Sequence, residues 1–278
     1  MRPAAAALFL FALLSVACAV PKSPAPAPQA QQQPKPGGTL TLPLISDPGN
    51  WDLTQGGLTA PNPNVMTQAT SNLLNFRAAP DVPYGQGVTE PGLAESWEVN
   101  KDATVYTYHL RNGVKFADLP PVNGREFTSK DVKFTFEYYA RIGEFKGFSP
   151  ASPVAWTYEG IQSVETPDPH TAVVRFSEPR ASFLGVTAAD RWSAIVPREI
   201  FDQDKHLKDR LIGTGPYTFD QIASQKGTRW VFKKNASYFI PGQPYIDQVR
   251  WLVLPDDAAT YAAFQDRKST RLNSSHRL

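Results

Sequence analysis

Cysteine is nearly missing from this sequence. Cys18 is the only one in 278 residues, so no disulfide can form within the chain. Long apolar runs are missing as well: the most apolar stretch, from Ala4 to Leu14, is too short for the ~20 residues that a bilayer-spanning helix needs. Histidine is sparse. His109, His170 and His206 are widely spaced, and neither an HExxH pair nor a Cys/His cluster is present, whereas zinc requires three or four convergent ligands. A G-x-S-x-G nucleophile elbow and a phosphate-binding P-loop are also absent. These gaps leave no catalytic residue, metal or cofactor to expect, and the chain reads as a non-enzyme.

Charge excludes further classes. The formal net charge is +2, from 28 basic and 26 acidic residues, but the two ends distort it. Setting aside Arg2, Arg267, Lys268, Arg271, Arg277 and Asp266 leaves 23 basic against 25 acidic residues, about −2. A balance of this kind offers neither a nucleic-acid face nor a polybasic membrane patch. What the chain does have is 41% hydrophobic and 12% aromatic residues, enough for a sizeable core in one or two domains, with 26 prolines and 18 glycines marking many turns.

The first eighteen residues combine a basic start at Arg2, the Ala4–Leu14 run and small residues before Cys18, the pattern of a secretory signal peptide. Leu14-Ser15-Val16-Ala17-Cys18 also resembles a bacterial lipobox, which implies that Cys18 is lipidated and becomes the mature N-terminus. Residues 19–38 are rich in Pro, Ala and Gln with little apolar bulk, so they cannot bury enough surface to fold and read as an extended tether.

The most ordered-looking stretch runs from Pro91 to Phe136. Val105, Thr107 and His109 alternate with Tyr106, Tyr108 and Leu110, which predicts a strand. Asn112-Gly113 then predicts a tight hairpin with Val114-Lys115-Phe116 as the return strand. Thr128 followed by Asp131 at the third helical position, ahead of Val132, Phe136 and Tyr139, predicts a capped amphipathic helix. Trp97, Tyr106, Tyr108 and Phe116 are expected in the core, and His109 as an ordinary strand residue. Asp118, Glu126 and Asp131 are close in sequence, but the cap accounts for Asp131.

Leu93-Ala94-Glu95-Ser96-Trp97-Glu98, Tyr106 to Arg111, Gly113-Val114-Lys115-Phe116 and Phe127 to Val132 follow one another in the order and spacing of a known family. Through these blocks the chain resembles the family 5 extracellular solute-binding proteins, the peptide- and nickel-binding group that serves ABC importers. The resemblance implies a mixed α+β chain of the α/β class, in the two-lobed fold of type II periplasmic binding proteins, with ligand held between the lobes. It further implies a strand at Gly37–Leu42 and a cleft mouth at the loop that follows, so Ser46, Asp47 and Trp51 are the candidate ligand contacts. Gly213-Thr214-Gly215-Pro216-Tyr217 matches the family's crossover between lobes, where two glycines and a proline would supply a defined turn.

The remaining chain divides accordingly. Residues 39–55 and 206–265 are expected to form the first lobe and 56–205 an inserted subdomain. Within these, Pro61–Phe76 reads as a helix, Arg77–Pro91 as a loop, and Ile161–Glu165 with Thr171–Phe176 as a hairpin. Arg229–Asn235 and Val249–Leu254 read as core strands and Asp256–Gln265 as a helix. Residues 266–278 resemble a translated sequencing adapter. On that reading the gene continues past Gln265 and the second lobe is truncated here. The function so implied is capture of a peptide or similar small polar solute and its delivery to ABC permease subunits. The protein is expected to be monomeric, held at the membrane in the periplasm or cell envelope by its lipid. The alternative is a lipid-anchored enzyme or structural lipoprotein that reuses the architecture.

Overall fold

The computed structural model describes residues 35–54, 61–83, 85–148, 154–188 and 193–266. The signal peptide, Cys18 and most of the tether lie outside these residues, as does the tail from 267. In chain order the elements are β1 (Thr39–Leu44), α1 (Pro61–Met66), β2 (Leu74–Phe76), β3 (Thr89–Pro91), β4 (Ala94–Val99) and β5 (Val105–Leu110). There follow α2 (Ser129–Ala140), β6 (Ile161–Asp168), β7 (Thr171–Phe176), α3 (Phe183–Ala188) and α4 (Arg198–Asp204). The last are β8 (Tyr217–Phe219), β9 (Arg229–Lys234), β10 (Gln248–Val253) and α5 (Asp257–Gln265). They build two four-stranded sheets, β1-β10-β9-β8 and β4-β5-β7-β6, and the short pair β2-β3.

The β5 strand shows why the second large sheet forms. Tyr106, Tyr108 and Leu110 are buried while their alternating neighbours are half-exposed, the period-2 burial expected of a strand with one face on a core. Its core face meets Phe176 and Phe183, with ring centroids 5.7 Å and 5.2 Å from Tyr106. Helix α2 covers β6 and β7 with Val132, Phe136 and Tyr139, all buried. Its start is capped as the sequence implies: the Thr128 amide donates to Asp131 Oδ2 at 2.9 Å. Phe116 is buried, Trp97 packs half-buried against the core, and His109 is a half-exposed strand residue beside Glu98.

Three local expectations are corrected. Asn112-Gly113 does not close a hairpin. Gly113 has φ +71°, so a turn is made, but Val114–Phe116 leads away from β5 and bonds to the segment 125–127 instead. The place beside β5 is taken on one side by β4, through the turn Asn100–Thr104, and on the other by β7. Asn100 Oδ1 accepts both the Thr104 and Val105 amides, a side-chain turn that needs no Asn-Gly pair.

The helix expected over Pro61–Phe76 stops at Met66. Hydroxyls of Thr67 and Thr70 donate to the Asn64 and Met66 carbonyls, and the chain then extends into β2. Val65, Ala69, Leu73 and Leu74 are all buried, so the apolar periodicity marked burial and not conformation. The loop expected over Arg77–Pro91 ends in β3, which pairs with β2 through Leu74 opposite Pro91 and Phe76 opposite Thr89. The predicted hairpin of β6 and β7, the strands β9 and β10 and the helix α5 all form.

Gly213 and Gly215 correct the reason given for the crossover turn. Neither has a positive φ. A Cβ on Gly213 would lie 2.3 Å from the Ala69 carbonyl oxygen, and one on Gly215 would lie 2.4 Å from the Ala69 carbonyl carbon. The glycines are needed because two backbones touch, with the Gly215 amide donating to Ala69 O at 3.0 Å and Tyr217 N to Gln68 O at 2.9 Å. Gly215→Ala is expected to lower stability by about 1–3 kcal/mol in urea unfolding, the usual cost of forcing atoms into a packed site.

Arg125 ties α2 to α4. Its guanidinium bonds both oxygens of the buried Asp131 and both of Glu199, and lies 4.9 Å over the Phe116 ring. Hydrogen bonding to Arg125 holds the Glu199 carboxyl below its ordinary range. A carboxylate whose folded pKa is depressed stabilises the fold above its unfolded pKa, about 4.3, and loses that contribution as pH falls through the folded value. Arg125→Met is therefore expected to raise the midpoint pH of acid unfolding followed by circular dichroism.

Candidate functional site

β1 and β10 run parallel, with Leu40 opposite Val249 and Leu44 opposite Val253, so both leave the sheet at the same end. In sheets of this kind, ligands bind outside the carboxyl ends of parallel strands. The antiparallel partners β8 and β9 place their connecting turn at that end as well. The loop after β1 is therefore the candidate site.

The structure shows how that loop is held. Asp47 Oδ1 accepts the Trp230 indole N–H at 2.9 Å, tying the loop to β9. Trp51 is 6% exposed and meets the rings of Phe219 and Trp230 edge-on at 5.5 Å and 5.2 Å. Its amide donates to Lys208 O. Ser46 is exposed, Asp47 half-buried, and Trp51 an aromatic anchor beneath the loop. Asp47 and Trp51 thus come together around Trp230, while Ser46 lies apart on the surface. In the crossover, Thr214 is buried and Pro216 O accepts the Asn235 amide.

Asp52 carries no motif signal in the sequence. It is fully buried, yet its carboxylate has no basic partner among its hydrogen bonds. Neutral donors surround it instead: Tyr138 Oη at 2.7 Å, Thr54 Oγ1 at 2.7 Å, Thr54 N at 2.9 Å and Leu207 N at 3.4 Å. Arg141 completes the arrangement from one step away, donating to Thr54 Oγ1 and the Tyr138 carbonyl with its guanidinium 4.4 Å over the Tyr138 ring. Burial, then the charge of Asp52, pushes the Tyr138 phenol up to about 12, so it stays a donor at neutral pH. One acid joins the β1 loop, α2 and the segment at Leu207 that leads to Gly213. A single acid with no periodic pattern around it carries no sequence signal beyond the turn in which it sits.

Cavities open elsewhere on the surface. One of about 540 Å³ lies between the start of α2, the β6–β7 turn and α4, and is walled by the Arg125 ion pairs. A second, of about 270 Å³, lies between Thr67–Asn75, Gly92, Pro216 and Tyr238-Phe239. A third, of about 480 Å³, lies under the β8–β9 turn. Ser46, Asp47 and Trp51 line none of these. Among the described residues, no group of His, Cys, Asp and Glu is placed to hold a metal ion. Asp52→Ala would leave the Tyr138 hydroxyl and the Thr54 amide buried without an acceptor. The expected loss is about 2–4 kcal/mol in urea unfolding, with Asp52→Asn milder because its carbonyl still accepts.

The model for bacterial extracellular solute-binding proteins, family 5, middle region, matches residues 88–273. Di/tripeptide-binding protein 1 of Pseudomonas aeruginosa is 33% identical over 179 residues, covering 60% of this chain and 33% of that protein. Heme-binding protein A of Haemophilus influenzae is 30% identical over 202 residues, covering 66% and 36%. Among solved structures, the periplasmic binding protein DppA of Helicobacter pylori in complex with the peptide STSA superposes with a TM-score of 0.72 at 27% identity, over 84% of this chain and 46% of that one. The chain spans about a third of the length of these curated relatives, and the likeness of DppA supports a mixed α/β fold of the two-lobed periplasmic binding proteins. This chain belongs to the bacterial extracellular solute-binding proteins of family 5.

Proposed function

We propose that the protein is the substrate-binding component of an ABC importer, capturing a peptide or a similar polar solute and passing it to membrane permease subunits. The observation that carries this reading is the family match over residues 88–273, together with relatives whose names specify di- and tripeptides. Capture occurs between two lobes: one is formed by residues 39–55 and 206–265, with 56–205 inserted, and Gly213–Tyr217 is the crossover. Ser46 and Asp47 face the solute from the end of β1, with Trp51 beneath them as support. Closure removes water, which strengthens each polar contact made to the solute. No bond is made or broken. The protein acts as a monomer in the periplasm, and the lipid on Cys18 keeps it at the membrane.

Titration calorimetry tests the reading, with di- and tripeptides, glutathione, heme and nickel–histidine as ligands. Reversible one-to-one uptake of a peptide is the expected result, about tenfold weaker or worse for Asp47→Asn, which keeps an acceptor for Trp230 but removes the charge. Turnover of the ligand, or absence of uptake across the whole series, would overturn it.

A further inference from the structure

The cavity of about 270 Å³ beside the crossover carries chemistry that solute capture at the end of β1 leaves unused. Its walls are hydroxyls, amides and aromatic faces, and no charged side chain is among the described residues that line it. Thr67 Oγ1 and Asn75 Nδ2 spend one donor each on the carbonyls of Asn64 and Pro91, which leaves the threonine lone pairs and Asn75 Oδ1 as acceptors. The Ser71 hydroxyl and the Tyr238 phenol have no hydrogen bond to another described residue. Burial pushes the Tyr238 phenol up, so it remains a protonated donor at neutral pH.

Beside these groups, the rings of Tyr238 and Phe239 meet at 4.8 Å and 56°, offering a broken apolar surface. Arg111 stands behind these walls and is not itself among the lining residues, but its positive charge reaches the Tyr238 phenol. Its Nε donates to the Gly92 carbonyl at 2.8 Å and its guanidinium lies 5.8 Å over Phe239. Dense, uncharged donors and acceptors next to aromatic carbon suit a molecule with hydroxyls around its rim and C–H groups on its faces. The volume falls just below the ~300–1,000 Å³ of drug-sized pockets, which restricts the occupant to a small solute.

We propose that this cavity is an auxiliary binding site for an uncharged polyhydroxyl solute of monosaccharide size, with Ser71, Asn75 and Tyr238 as its hydrogen-bonding residues. The site goes beyond peptide capture and is independent of it. Its walls come from the crossover, the segment before β2 and the turn after β9, all away from Ser46 and Asp47.

Saturation-transfer NMR on the 278-residue chain tests this, with D-glucose and myo-inositol as probes and acetate and glycine as charged controls. Saturable binding of glucose or inositol at millimolar Kd or tighter is expected, weakened about fivefold or more by Tyr238→Phe and by Asn75→Ala, the loss of one hydrogen bond each. Tyr238→Phe keeps the ring and its packing, so it decides the matter if Asn75→Ala fails to fold. Absence of saturable binding by both neutral probes, binding unchanged in both variants, or preference for acetate over glucose would overturn the proposal. Each of these outcomes leaves the peptide titration unaffected.

Discussion

The structure depends on a place where two backbones lie against each other with no side chain between them. Gly213–Gly215 rests on Ala69–Thr70 at distances that a Cβ could not occupy. Amides on one side and carbonyls on the other then bond directly. Gly92 repeats the device, its position lying 2.6 Å from the Asn72 carbonyl oxygen when a Cβ is added. These contacts fix the segment Gln68–Leu73 from both sides. That segment passes from α1 into β2, while Gly213–Pro216 passes into β8, so the β2-β3 pair and the β1-β10-β9-β8 sheet meet on one stretch of main chain. Side-chain packing can relax by rotamer changes; a backbone contact cannot, which makes this junction stiffer than an apolar interface of equal area.

Two buried acids hold other parts of the fold by opposite means. Asp131 is 2% exposed and is neutralised by the forked guanidinium of Arg125, whose geometry matches a carboxylate. Asp52 is fully buried and receives only neutral donors. The first arrangement joins α2 to α4. The second brings together the β1 loop, α2 and the segment at Leu207, and so fixes their relative placement. Removing either partner of such a pair leaves a desolvated group without compensation, so both acids specify geometry more than they add net stability.

Much of this was legible in the sequence, where local chemistry and tertiary structure agree. Alternating aromatics gave β5, a hydroxyl and an acid three residues apart gave the start of α2, and Pro-Asp-Pro-His gave the β6–β7 turn. The failures share a cause: a local signal was overruled by a distant partner. Asn112-Gly113 does turn the chain, but Val114 and Phe116 find their bonds at Phe127 and Arg125. The apolar spacing of Val65, Ala69 and Leu73 is helical, yet Leu73 and Asn72 give their carbonyls to the Gly92–Ala94 segment. Glycine at 213 and 215 serves close approach and not a positive φ, and in sequence the two needs look alike. Of the loop after β1, the motif could point to Ser46, Asp47 and Trp51 by position alone. Asp52, the Trp230 partner of Asp47 and the Tyr238 cavity were not visible, because each is defined by residues far apart in the chain.

At the end of β1 the loop is held by main-chain pairing and buried aromatics. β1 and β10 emerge side by side, the β8–β9 turn arrives at the same end, and the Asp47–Trp230 bond and the Trp51 cluster hold the intervening loop in place. None of these contacts involves a solute. A frame fixed by main-chain pairing and buried aromatics tolerates exchange of the exposed residues around it at little cost to folding, and Ser46 and Ile45 are of that exposed kind. The same reasoning distinguishes the Tyr238 cavity, whose walls include Pro216 and Gly92 from the backbone junction itself. Substitution there is constrained by the fold, so whatever solute it suits is matched by residues that the architecture, and not the captured ligand, holds in place.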